Sequence, residues 1–455
     1  MSGRPAGRRR WLSGLLVDIG PLRRHPGYRR LWAGQVVSQT GTQLTVVAVS
    51  YQTYRLTGST AMVGLVGLAQ LAPLLAGSLL GGPLVDAWDR RRVMLVCQVL
   101  LAVGSAGLLL NAVTGHARVW PLFASTAEAA AFQGLDWTAR RACLRRLVSP
   151  ADLPASLALQ SAVFQVTSVI GPAAAGLLIA RAGFGLVYGL DVASFGVALV
   201  TTAALPALAP EGGGQPASLA SLIGGVRYLR RSQPLAGAFV IDLGAMVFGL
   251  PRAVFPALAA TVYGGGAATV GYLNAAPGVG AAVGSLLSGR VGRVRRAGRA
   301  VAVCVALWGL AIAGFGVVSW LPGALILLAL AGAADVISSV FRMTIVQQST
   351  PDELQGRVNS LVYAGLQGGP RLGDAEAGAA ATLAGPQFAA WSGGLLSVAT
   401  AVATCWALPQ FWRYRSQAVM TAAGGPPAQP ADARQPGERA GRPPPAEPAG
   451  AEGQA

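Results

Sequence analysis

From residue 34 to residue 410 the chain alternates long apolar runs with short polar, arginine-bearing ones. A membrane helix needs about 20 mostly apolar residues. Twelve windows meet that length: 34–55, 60–84, 93–114, 119–138, 157–180, 184–206, 235–260, 268–289, 300–320, 322–346, 358–383 and 387–410. The expected fold is an all-α polytopic membrane protein of twelve transmembrane helices. Window four is the least apolar, because it ends in LDWTARRACLRR. Between windows six and seven, PALAPEGGGQPAS reads as a flexible linker, and LASLIGGVRYLRR as a basic amphipathic helix suited to the membrane surface.

The polar connections are not alike. Arg23, Arg24, Arg29 and Arg30 precede the first window. The second connection carries Arg90, Arg91 and Arg92, and the fourth Arg140, Arg141, Arg145 and Arg146. The sixth carries Arg227, Arg230 and Arg231, and the eighth Arg290, Arg293, Arg295, Arg296 and Arg299. The odd connections hold little beyond Arg55, Arg118 and Arg181. Positive charge stays on the cytoplasmic side, so both termini and all even connections are expected there.

The chain also repeats itself. VGLVGLAQLAPLLAGSLLGG (63–82) aligns without gaps on VGYLNAAPGVGAAVGSLLSG (270–289), and SPADLPASLALQ (149–160) on TPDELQGRVNSL (350–361). Both registers are offset by about 200 residues. Two six-helix halves in the same orientation are repeats about an axis along the membrane normal. The expected organisation is a cytoplasmic N-terminal segment (1–33), a first bundle (34–206), a cytoplasmic linker with its amphipathic helix (207–234), a second bundle (235–412) and a disordered cytoplasmic tail (413–455).

Composition agrees. The 455 residues are 53% hydrophobic and 12% charged, with mean hydropathy +0.51, against about a quarter charged in soluble domains. The net charge of +17 comes with no lysine at all, which fits a GC-rich bacterial genome. Because the arginines sit between apolar runs, they argue for a lipid bilayer as partner and against nucleic acid. Cys97, Cys143, Cys304 and Cys405 are scattered and form no metal or disulfide pattern. No phosphate-binding loop, HExxH or GxSxG occurs. The expectation is a monomeric, non-enzymatic protein that needs no cofactor and no metal.

GGPLVDAWDRRR (81–92) resembles the loop between helices two and three of the major facilitator superfamily. The resemblance implies a conformational charge clasp made by Gly82, Asp86, Arg90 and Arg91. SGRVGRVRR in the second half keeps the basic charge and lacks the acid. SVIGPAAAGLLIA (168–180) resembles the Gly-Pro motif of the superfamily's antiporters, through Gly171, Pro172 and Gly176, with Thr167 in place of the upstream glycine. YRRLWAGQVVSQTGTQLT, GLDWTARRACLRRLVSPADLPASLALQ, YGLDVASF, IDLGAMVFGLPRAVFPALA, RLGDAEAG and STPDELQGRVNSL together are similar to the enterobactin-exporter-like branch of bacterial siderophore and drug exporters. That branch implies plasma-membrane export of a small organic molecule by alternating access. An importer or symporter, and a non-transporting membrane sensor, are the alternatives.

Nine charges fall inside the windows and away from their ends: Glu128, Asp191, Asp242, Arg252, Asp335, Arg342, Arg371, Asp374 and Glu376. Each costs about 3 kcal/mol or more at mid-bilayer, so each must face a watery cavity or a partner. Arg371 and Asp374, three apart, are expected to form a structural ion pair. Glu376, about 200° around the helix from Asp374, has no partner on its own helix. Glu376, Glu128 and Asp335 are the candidate proton-coupling or substrate residues. Arg252 is a candidate anchor for an anionic substrate, or a cap for window seven. Asp191 and Asp242 read as structural polar contacts.

Overall fold

A computed structural model describes residues 18–206, 219–288 and 294–416; within these, the side chains of 78–86, 219–223, 287–288, 352–353 and 360 lie outside the described set. The secondary structure is helical, with no strand among the described residues. A short helix α1 (Gly20–Arg24) leads into α2 (Pro26–Thr57), α3 (Thr60–Ala87), α4 (Arg90–Val113) and α5 (Trp120–Leu147). Next come α6 (Leu153–Ala203), α7 (Leu219–Arg231), α8 (Gln233–Phe248), α9 (Phe255–Thr261) and α10 (Ala267–Ser288). The chain finishes with α11 (Ala297–Val317), α12 (Leu321–Ser349), α13 (Asp352–Ala384), α14 (Pro386–Ala407) and a last turn α15 (Pro409–Trp412).

These helices supply the twelve crossings. Seven stretches are long and apolar enough on composition alone. One of them, Pro150–Ala203, holds two crossings. The other four are α2, α5, α10 and α13, whose apolar character is diluted by amides, charges or glycines that face protein and not lipid. The helices fall into two six-helix bundles, as the repeat implies.

α6 is one continuous element that doubles back on itself. Gly183, at φ 78°, breaks it, a backbone conformation that only glycine adopts without cost. Tyr28 donates to the Ser156 carbonyl at 2.9 Å and Arg30 to the Ala204 carbonyl at 2.8 Å. The two ends of α6 therefore lie together beside the start of α2, and Gly183 is the tip of the hairpin.

Crossing seven is broken as well. α8 stops at Phe248, and Arg252–Val254 forms one 3-10 turn before α9. Pro251 explains the break, since it removes a backbone donor and disfavours helix at Leu250 before it; Pro256 lies in the first turn of α9, where proline is tolerated.

Two expectations need correction. α5 runs nine residues past the expected end at 138, so Arg140, Arg141, Arg145 and Arg146 lie on a helix and not in a connection. Arg140 is only 4% exposed, and the pairing described below is what lets it stay helical. The amphipathic α7, in its described part, does not lie free on a membrane surface. Leu229 is buried with Leu235, Val346 and Val358, and Tyr228 donates to the Ser349 carbonyl at 3.0 Å. Tyr28 and Tyr228, 200 positions apart, each tie the chain ahead of a bundle to a backbone carbonyl, Tyr28 at the start of crossing five and Tyr228 at the end of crossing ten.

The halves meet along two seams of small residues. A Cβ on Gly176 would come within 2.6 Å of the Ala267 carbonyl, and one on Gly271 within 2.6 Å of the Pro172 carbonyl, so α6 and α10 touch backbone to backbone. α3 and α13 do the same. A Cβ on Gly64 would collide with the Asp374 carbonyl, and one on Gly378 would come within 2.6 Å of the Thr60 carbonyl. Thr60 also donates to the Gly378 carbonyl at 3.2 Å. Such approach is what small residues permit between membrane helices.

Candidate functional site

The first half ties its deepest acid to hydroxyls. Asp191, 2% exposed, accepts from Thr45 at 2.8 Å and from Ser105 at 2.7 Å, with Ser194 at 3.5 Å. Three helical segments, α2, α4 and the second arm of α6, converge on one carboxylate, in keeping with the structural role expected for it. Glu128 lies against Gly104 on α4, where any Cβ would strike its carboxylate. It is not among the residues that line the cavity described next.

That cavity, of about 190 Å3, lies between the halves. The first half contributes Gln35, Ser38, Gln39 and Thr42 from α2, and Gln133, Asp136, Trp137 and Arg140 from α5. The second half contributes Tyr363, Gln367 and Arg371, all from α13. Asp136 pairs with Arg140 one turn on, and Gln98 donates to Asp136 at 3.4 Å. Arg140 Nη1, Trp137 Nε1 and Gln35 Oε1 are buried and have no hydrogen-bond partner among the described residues. The sequence reading passed over this pair because ARRACLRR looks like a basic loop. The available signal was the i, i+4 spacing of Asp136 and Arg140.

In the second half, two acids share one cation. Arg342 Nη2 donates to Asp335 at 3.1 Å, and Nη1 to Ser338 at 3.2 Å. Asp242 Oδ1 lies 3.0 Å from Arg342 Nη2 but off the N–H direction, so it makes an ionic contact and no aligned hydrogen bond. Asp335 is the more open acid, with its side chain 40% exposed against 14% for Asp242. The group carries one more negative charge than positive.

Arg371 and Asp374 do not form the expected direct pair. Arg371 donates to the Gln367 carbonyl, one turn back, at 3.0 Å. Helical side chains lean toward the N-terminus, so an arginine that precedes its acid reaches away from it. Asp374 instead packs on Gly67 of α3, in the field of both Arg252 and Arg371. Arg252 sits in the break of crossing seven and is exposed. Glu376 Oε2 is buried and without a hydrogen-bond partner among the described residues.

Of the clasp, Gly82 and Asp86 fall among the side chains outside the described set. Arg90 donates to the Ala142 carbonyl at 3.3 Å and Arg91 to the Ala203 carbonyl at 2.6 Å. Both contacts lie within the first half. Asp89 caps α4 by accepting from the Arg91 backbone at 2.8 Å. In the helix-five motif, a Cβ on Gly171 would come within 2.5 Å of Gln43 Cβ on α2, while Pro172 and Gly176 face α10 across the seam. No cluster of metal-ligating side chains occurs among the described residues.

Comparison with known proteins agrees with this architecture. A family model described as transmembrane secretion effector matches residues 17–426. The enterobactin exporter EntS of Shigella boydii serotype 18 is 31% identical over 402 residues, covering 88% of this chain and 96% of that protein. The EntS of Escherichia coli O6:K15:H31 is 30% identical over 412 residues, covering 90% and 98%. Among solved structures, the peptide transporter POT in complex with sulfate superposes with a TM-score of 0.68 at 12% identity, over 86% of this chain and 96% of that one. The nucleoside transporter NupG gives 0.64 at 13%, over 84% and 98%. These two likenesses carry the fold alone. With a family match over most of its length, the chain belongs to the transmembrane secretion effector family of major facilitator transporters.

Proposed function

We propose that the protein is a proton-coupled exporter of a small organic molecule, of siderophore or antibiotic type, working by alternating access in the bacterial plasma membrane. The observation that carries this reading is a polar cavity lined by both halves, together with two small-residue seams that close the halves around it. The arginine bias supports cytoplasmic termini. On that orientation the cavity lies toward the cytoplasm and the α3–α13 contact near Thr60 toward the outside, which is a cargo-loading shape. The two bundles, 34–206 and 235–412, then rock as units joined by 207–234, and a monomer suffices. The export named for the enterobactin relatives supports the direction.

Glu376 is the coupling acid in this scheme. One of its carboxyl oxygens is buried and has no hydrogen-bond partner among the described residues, so it is free to carry a proton from one side to the other as the halves rock. Asp335, the more open acid of the Arg342 group, is the second candidate, and Glu128 the third. Asp86, with Gly82, Arg90 and Arg91, biases the equilibrium between the two shapes.

The test is reconstitution of the full chain in oriented vesicles, with an imposed pH gradient and labelled enterobactin as the first probe. Export against its own gradient, driven by protons moving the opposite way, is expected. Movement of the probe together with protons would make the protein an importer, and no movement of this probe or of a panel of antibiotics would remove the transport reading.

A further inference from the structure

The lining of the cavity has a chemistry of its own. Of the charged groups that line it, two are guanidiniums, Arg140 and Arg371, and one is a carboxylate, Asp136. Asp136 is taken by Arg140. Arg371 has no carboxylate within ion-pair distance among the described residues, and its one protein hydrogen bond is to a backbone carbonyl. A third guanidinium, Arg141, lies over the Trp137 ring, 5.3 Å from its centroid, and acts together with Arg371 on Tyr363. Asp374, on the same helix, lies in the field of both Arg371 and Arg252; two guanidiniums against this one carboxyl leave a surplus of positive charge, and Arg371 is the one of the two that lines the cavity. Its planar fork suits a carboxylate or similar oxyanion.

The remaining lining is aromatic and amide. Trp137 comes from the first half and Tyr363 from the second. Phe164 and Phe195 complete the ring-bearing wall. The buried, unpartnered donors Arg140 Nη1 and Trp137 Nε1, and the acceptor Gln35 Oε1, are groups that a bound polar molecule satisfies and an apolar one leaves stranded at a cost. The volume of about 190 Å3 is below the roughly 300–1,000 Å3 typical of sites that enclose a drug-sized ligand. It accommodates one ring with its acidic substituent.

We propose that this cavity binds an anion carried on an aromatic ring, with Arg371 holding the charge and Trp137 and Tyr363 flanking the ring from opposite halves. Because the two flanking groups belong to different bundles, the cargo bridges the parts that must move against each other. Arg371 is then the residue that selects anionic over neutral cargo. This inference rests on the transport reading for its meaning, but its test needs no transport and no gradient.

The test is equilibrium dialysis of purified full-length protein in lipid nanodiscs, with labelled benzoate, benzamide and benzylamine as probes of one shape and three charges. Wild type is expected to bind benzoate at least about tenfold more tightly than benzamide, and benzylamine most weakly. Arg371→Gln is expected to bring the benzoate-to-benzamide ratio below about twofold, with Arg371→Lys in between. Trp137→Leu is expected to weaken benzoate and benzamide alike. Arg299→Gln removes the same charge beside Trp412, outside the cavity, and keeps the wild-type ratio. Equal binding of benzoate and benzamide by wild type overturns the proposal without any variant. So does an unchanged ratio in a monodisperse Arg371→Gln protein, or no saturable benzoate binding up to about 10 mM. If binding behaves as expected while the vesicles show no export, the site stands and the export reading falls.

Discussion

Asp191 in the first half and the Arg342 group in the second hold carboxylates inside a membrane bundle in opposite ways, while Asp136 of the first half keeps a guanidinium, Arg140, to itself. In the first half Asp191 is surrounded by three hydroxyls from three helical segments and has no need of a cation. In the second half Asp242 and Asp335 divide a single guanidinium between them, and Glu376 keeps a buried oxygen unpartnered. A carboxylate that accepts three neutral donors is stabilised in one geometry and has little reason to change. Arg342 hydrogen-bonds only one of its two acids, Asp335, and makes an ionic contact with Asp242, so a proton on Asp335 would free the guanidinium to turn to Asp242. The difference teaches that the first half is built to hold its charges and the second to reassign them.

The largest effect is expected at Arg342. Arg342→Met strands two carboxylates and removes the bond to Ser338. Breaking a buried pair in this way costs about 3–5 kcal/mol, so a steep fall in melting temperature and in membrane yield is expected. Adding Asp242→Asn should recover part of both. If the single variant melts like wild type, the shared cation is not holding the second half together.

Next is Glu376→Gln, which mimics the protonated acid. It is expected to reduce export driven by a pH gradient by about tenfold or more, the scale of losing one proton-transfer group. Equilibrium binding of the probe and the melting temperature should stay near wild type. Asp335→Asn and Glu128→Gln are run beside it. A Glu376→Gln protein that still exports, while one of the other two does not, transfers the coupling role to that residue.

A smaller effect is expected from Asp191→Asn. The amide keeps one acceptor oxygen but presents donors to hydroxyls that were donating, at a cost of about 1–3 kcal/mol. Melting should fall by less than in Arg342→Met, and gradient-driven export should persist in the folded fraction. Loss of export with unchanged melting would erase the contrast between the halves.

The smallest effect lies outside the membrane. Asp152 accepts from His25 at 2.8 Å and from Ser149 at 3.1 Å, and pairs with Arg24 at 2.8 Å. The His25 hydrogen bond, ahead of Ser149 and Arg24, holds its carboxyl below the usual carboxylate range. A depressed value means that its contribution is present above the ordinary carboxylate pKa of about 3.9 and is lost as pH falls through the lower, folded value. The melting difference between wild type and Asp152→Asn should therefore close in acid below about pH 4, as the carboxyl takes up its proton. A difference that persists in full through that range would show that Asp152 is not the group in control.

Much of this was legible in the sequence because membrane helices announce themselves by length and apolarity, and because the halves repeat. Asp335 and Arg342 stand seven residues apart, a spacing that places both on one helical face, and they bond at 3.1 Å. The end of α5 was not legible, since a basic run after an apolar window looks like a loop until Asp136 is seen to neutralise Arg140 one turn away. The pairing of Arg371 with Asp374 was misread because spacing ignores the lean of helical side chains, which carries the arginine back to Gln367. The amides of the cavity gave no signal. Gln35 and Gln39 on α2, Gln133 on α5 and Gln367 on α13 are far apart in sequence until three helices bring them into one wall.

The joint in α6 bears on how the two crossings can move. The 51 residues of this helix at about 1.5 Å each give two arms, enough for two crossings of a hydrocarbon core about 30 Å thick. Nothing but the Gly183 joint separates them. With no extended loop to take up slack, neither arm can slide far along the membrane normal without drawing the other after it. A flexible insert placed at Gly183 would lengthen that joint and uncouple the two arms.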